Sequence, residues 1–87
     1  MYLAKIIGTV VSTSKREELI GMKLMIVERL NEHLESSRET EVAVDAVGAG
    51  EGEIVIVCKG SSARHVFGDR YPIDTTIIAI VDTVEVG

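Results

Sequence analysis

The chain has 87 residues, 46% of them hydrophobic, 26% charged and only 3% aromatic, with nine Lys and Arg against fourteen Asp and Glu for a net charge of −5. That length suits one domain, residues 1–87, with a thin core. Its mixture of apolar and charged residues excludes a disordered chain, and its acidic balance argues against nucleic acid and anionic membranes as partners.

The apolar mass is aliphatic, with twelve Val and ten Ile, and β-branched residues favour strands. Residues 2–13 read as a long strand interrupted by Gly8, which marks a bulge or a close backbone approach. Residues 14–21 are a charged turn or single helical turn closed by Gly21. A second strand is expected at 22–30. Residues 31–40 are polar and lack a strand period, so they read as an exposed loop. A third strand follows at 41–47, then a glycine-rich connection at 48–52 and a fourth strand at 53–59. Residues 61–67 suit a short helix with Ser61 as N-cap. Pro72 breaks the chain before a fifth strand at 73–86. Five strands and one short helix point to a mainly β fold. A small five-stranded barrel of the OB type is the first expectation, and an open antiparallel sheet with a helix on one face is the alternative.

The strands carry apolar residues on both faces. Met22, Leu24 and Ile26 oppose Met25 and Val27, while Ile54, Ile56 and Cys58 oppose Val55 and Val57. A barrel this small has one interior, and one short helix cannot cover its outside. A second copy of the chain is the simplest cover, which predicts an oligomer.

No constellation for catalysis emerges. Gly48, Ala49, Gly50, Glu51, Gly52 and Glu53 form a glycine-rich segment, but it lacks the spacing of a phosphate loop and leads into a strand. Its two carboxylates would repel phosphate. Its glycines read better as servants of a constrained backbone. His33 and His65 have no neighbours at metal-ligand spacing, so no metal site is expected. Cys58 reads as a small buried hydrophobe; as a lone cysteine it excludes an internal disulfide. Ser61, Ser62 and Arg64 could hold an anion, but a helix cap plus an Arg paired across an interface is preferred. Asp45, Asp74 and Asp82 are separated carboxylates that read as hydrogen-bond acceptors. No cofactor is expected. The chain shows neither an uninterrupted apolar run of about 18 residues nor a secretory pattern, so a cytosolic protein is expected.

Five segments together carry a resemblance. They are Gly8 to Lys15 (GTVVSTSK), Leu19 to Leu24 (LIGMKL), Val44 to Glu53 (VDAVGAGEGE), Gly60 to Arg64 (GSSAR), and the pieces Pro72-Ile73-Asp74 and Ile80-Val81-Asp82. In this order the chain resembles the bacterial microcompartment vertex proteins, the EutN/CcmL family. Two features depart from the family pattern: Ile54 stands where an aromatic is common, and 31–40 is unusually acidic and polar.

The resemblance implies an OB-like barrel assembled as a homopentamer. Such rings close the fivefold vertices of a protein shell whose facets are hexameric shell proteins and whose interior holds metabolic enzymes. In such a ring the 48–53 segment is expected near the symmetry axis, with at least one of Glu51 and Glu53 turned into an intersubunit bond with Lys15, Arg64 or backbone N–H groups. Ser12, Lys15, Asp45, Ser61, Ser62, Arg64 and Asp74 are expected at subunit contacts. The alternative reading is an OB-fold module that binds a ligand or nucleic acid. The scarcity of stacking aromatics opposes it.

Overall fold

In the computed structural model, which describes residues 1–60, 63, 65–68 and 72–87, five strands close into a barrel. They are β1 (Tyr2–Val10), β2 (Leu24–Leu30), β3 (Ser36–Asp45), β4 (Ile54–Lys59) and β5 (Thr75–Ile80). Around the barrel they run β1-β2-β3-β5-β4, with β4 returning to β1. Neighbours are antiparallel except β3 and β5, which run parallel through Val44↔Thr76 and Asp45↔Ile77. Closure removes the edges that an open sheet would expose, and the open-sheet alternative falls with it.

Alternation decides what fills the barrel. Ala4 and Ile6 of β1, Met25 and Val27 of β2, Ala43 of β3, Val55 and Val57 of β4, and Ile77 of β5 are buried together with Ala49. Small and large aliphatic residues share this interior, as the taper of a small barrel requires. Tyr2 packs at one end of the cluster. Gly8 sits where β1 shifts register against β2, between Ile6 and Gly8, so the expected bulge is present.

Several boundaries differ from the sequence expectation. β1 stops at Val10, whose partner Leu24 opens β2, so 11–13 and 22–23 lie beyond the ladder. The charged 14–21 segment contains a 3-10 turn at Glu17–Leu19 and ends on Gly21 with φ +87°. β5 ends at Ile80; Val81 donates its N–H to the Ile54 carbonyl at 2.8 Å, and the residues after it join no strand. In the expected helix, Ser61, Ser62 and Arg64 lie outside the described residues. Nearby, the amides of Ala63 and Val66 bond the carbonyls of Gly60 and Ala63 at 3.0 and 3.3 Å.

The main correction concerns 31–40. Only 31–35 form a turn, and the rest begins β3, which pairs with β2 as far as Leu30↔Ser36. No apolar alternation betrays this stretch because residues 31–40 are exposed throughout, so backbone bonds and polar side chains hold it instead. The Asn31 Oδ1 atom accepts the N–H groups of His33 and Glu35 at 2.8 and 3.0 Å, and its amide donates to the Glu35 carboxylate at 3.1 Å. Ser37 donates to the Arg29 carbonyl at 2.9 Å, and the Ser36 hydroxyl accepts the Arg38 N–H at 2.9 Å. The hairpin bends where Arg38 takes φ +64° and where β2 shifts register between Glu28 and Leu30.

Candidate functional site

The connection between β3 and β4 is held from every side by its own chain. Where β3 ends, the Asp45 carboxylate is almost fully buried, at 1% exposure. One of its oxygens accepts the Val47 N–H at 3.0 Å and so turns the chain. The other lies 3.6 Å from the ammonium of Lys23, which also donates to the Ala49 carbonyl at 3.1 Å. Ala49 itself is buried in the barrel core. Beyond it, the Gly50 N–H bonds the Glu53 carboxylate at 2.6 Å. The Gly52 N–H reaches the Ile6 carbonyl at 2.8 Å, and the Ile6 N–H returns to the Glu53 carbonyl at 3.0 Å. The loop is thereby stitched to β1 beside the bulge.

This geometry disposes of phosphate binding at the loop. The amides of Gly50, Gly52 and Glu53 are all engaged within the chain, and the nearest carboxylate would repel an anion. It also separates the three glycines, which the sequence presents as equals. Gly48 and Gly52 have φ of +78° and +91°, whereas Gly50 is outside the left-handed region. Of the two acids, Glu53 folds back onto its own loop, and Glu51 is left exposed at the tip.

Beside the loop lies an open cavity of about 280 Å³, lined by residues 9–12, Lys15 and residues 22–25. Lys15 is exposed there. Ser12 is half-buried and donates to the Ser14 carbonyl at 2.9 Å. On the outer surface of β2 and β3, a second groove of about 190 Å³ is lined by Leu19, Leu24, Val42, Val44 and residues 72–75. Asp74 sits in its wall, where its carboxylate accepts the Thr75 hydroxyl at 3.2 Å. The structure therefore brings Asp45 together with the glycine loop and puts Lys15 and Ser12 in one cavity. Asp74 stands apart from both. Asp45 was expected at a subunit contact, but its buried carboxylate is directed into its own chain.

One polar cluster was not legible in the sequence. At the Tyr2 end of the barrel, the Tyr2 hydroxyl donates to Glu41 at 3.0 Å, Lys59 pairs with the same carboxylate, and the Arg29 guanidinium lies 4.8 Å from the Tyr2 ring centre. Burial, with the Glu41 hydrogen bond second, pushes the Tyr2 hydroxyl well above its usual range. Its bond to Glu41 holds the Lys59 ammonium above the ordinary lysine value. The four residues come from β1, β2, β3 and β4, so no local spacing signals them. Among the described residues there is no group of three His, Cys, Asp or Glu side chains placed to hold a metal. Cys58 is a buried free thiol, and His33 lies exposed beside Glu32.

The family model described as "Ethanolamine utilisation protein EutN/carboxysome" matches residues 1–82. The chain belongs to the EutN/CcmL family. It is similar to the bacterial microcompartment shell vertex protein GrpN of Rhodospirillum rubrum, at 60% identity over 98% of this chain and 97% of that one. The corresponding vertex protein PduN of Salmonella typhimurium is 49% identical over 97% of this chain and 98% of its own length. The solved structure titled "GrpN pentameric microcompartment shell protein" superposes with a TM-score of 0.93, covering all of both chains at 57% identity.

Proposed function

We infer that this chain is a structural shell protein, a homopentamer that closes the fivefold vertices of a bacterial microcompartment. The observation that carries it is the end-to-end match, in sequence and fold, to a pentameric shell protein. It is not an enzyme; its relatives named above are shell vertex proteins.

The outside of the barrel supports a ring on physical grounds. On one side, Leu24 and Ile26 of β2 lie next to Val42 of β3, which is 53% exposed, and register pairs Ile26 with Val42. On the other side, Leu3 of β1, Ile56 of β4 and Ala79 of β5, each only partly buried, form a row through the pairs Leu3↔Ile56 and Ile56↔Ala79. β2 and β3 stand on the opposite side of the strand order from β4. Two different apolar faces on opposite sides of one body suit a head-to-tail contact that closes by rotation. The outer face of β2 and β3, where OB-fold modules bind nucleic acid, is aliphatic here and offers no stacking ring in Leu24, Ile26, Val42 or Val44.

The finer assignments follow from this reading. The whole chain, 1–87, acts as one vertex domain. Gly48, Ala49, Gly50, Glu51, Gly52 and Glu53 form the loop near the ring axis. Ser12, Lys15, Ser61, Ser62, Arg64 and Asp74 lie at contacts between copies, while Asp45 and Lys23 hold the loop in shape. The ring seats among hexameric shell proteins of the same compartment. Native mass spectrometry of the purified chain should give a five-chain species at micromolar concentration. Co-expression with the hexameric proteins should give closed polyhedra only when this chain is present. A strictly monomeric chain, or polyhedra that close equally well without it, would overturn the assignment.

A further inference from the structure

Two opposite charges at one end of the barrel have no partner among the described residues. Lys15 stands in the cavity formed by residues 9–12 and 22–25, and Glu51 stands exposed at the tip of the glycine loop. Lys23 ties the two places together, since it lines that cavity and donates to the Ala49 carbonyl, two residues before Glu51. The two charged residues that flank this site, Glu53 and Lys23, are already engaged within the chain. Glu53 accepts from its own Gly50 amide, and Lys23 serves Ala49 and Asp45. We propose that the cavity beside Lys15 receives the Glu51 carboxylate of an adjacent copy, one such pair at each contact of the ring.

The inference rests on the ring reading above and deepens it. The cavity suits a glutamate side chain. Val10, Val11, Met22 and Leu24 offer apolar surface to its methylenes, and the Lys15 ammonium and the Thr9 hydroxyl offer donors to its oxygens. The loop presents Glu51 already ordered, because Gly50, Gly52 and Glu53 fix the backbone on both sides. Little ordering entropy is then lost on docking. The charge balance also favours such a contact. Each chain carries a net charge of −5, so like-charged copies repel as the ring closes, and a cation facing a carboxylate at each joint offsets this and sets register.

The test is a charge exchange in the full-length chain, followed by native mass spectrometry and light scattering over a range of concentration and salt. Lys15→Glu and Glu51→Lys should each raise the concentration needed for half-assembly by about tenfold or more at low salt. The double exchange, Lys15→Glu with Glu51→Lys, should return it to within about threefold of the wild type. The neutral variants Lys15→Gln and Glu51→Gln, which bring no new repulsion, should shift assembly less and flatten its salt dependence. Far-UV circular dichroism checks that each chain is folded. Single variants that assemble as the wild type does, or a double exchange no better than the sum of its parts, would overturn the pairing and leave the ring standing. A wild-type chain that never forms pentamers would overturn the ring reading, and the pairing with it.

Discussion

Three glycines in six residues look interchangeable in the sequence, but the structure assigns them different energetics. Gly52 holds φ +91°, and its amide is fixed to the Ile6 carbonyl at 2.8 Å, so the backbone cannot relax toward a conformation that alanine prefers. Placing a Cβ in the left-handed region costs about 1–2 kcal/mol. The lower entropy of the unfolded alanine chain returns about 0.4–1 kcal/mol. Gly52→Ala should therefore destabilise by about 1 kcal/mol, or about 4–8 °C in Tm for a chain of this size. Gly50 lies outside the left-handed region, and a Cβ there would meet only the end of the Glu53 side chain at 3.4 Å. Gly50→Ala should be close to neutral, within about 0.5 kcal/mol. Gly48, with φ +78° and open space around its Cβ position, should follow Gly52. Thermal and urea unfolding should be compared at one protomer concentration, because assembly adds to apparent stability. If Gly50→Ala cost as much as Gly52→Ala, backbone conformation would not be what constrains this loop.

Alkaline conditions should weaken the Tyr2 end of the barrel. Tyr2 and Lys59 are both raised above their ordinary values of 10.0 and 10.5, so between unfolded and folded titrations the folded chain binds more protons, and stability falls as pH rises. The contribution of both groups should be intact below about pH 9.5 and decline above pH 10; Tyr2→Phe should make the decline shallower, and an unchanged profile would exclude Tyr2 as its source. At the hairpin, Asn31→Ala removes an acceptor of two amides and a donor to Glu35. Exposed to water, this turn should lose about 0.5–1.5 kcal/mol, visible as faster amide exchange at His33 and Glu35 with the barrel strands unaffected. Equal exchange in both proteins would show that the turn holds itself without the side chain.

Much of the barrel was legible because apolar alternation and β-branched content are local signals. The five strands, the bulge at Gly8 and the surplus of apolar side chains outside the barrel all follow from residues one to four positions apart. The hairpin at 31–40 has the composition of a loop for a physical reason. Its residues face water on both sides, so nothing in their hydropathy distinguishes a strand, and only pairing with β2 orders it. The last strand is shorter than its sequence suggests for the converse reason. The alternating residues after Ile80 have the composition of a strand, but beyond Val81 no ladder continues.

By itself, the sequence determined the fold class, the family motifs and the need for a partner, because each depends on composition or on short spacings. Tertiary structure alone decided which carboxylates are available. Asp45 and Glu53 are consumed by the amides of their own loop, and Glu51 is left over, although all three are equivalent acids in the sequence. It also brought Tyr2, Arg29, Glu41 and Lys59 into one cluster from four strands. Such contacts depend on barrel closure, which joins residues tens of positions apart and leaves no trace in local periodicity.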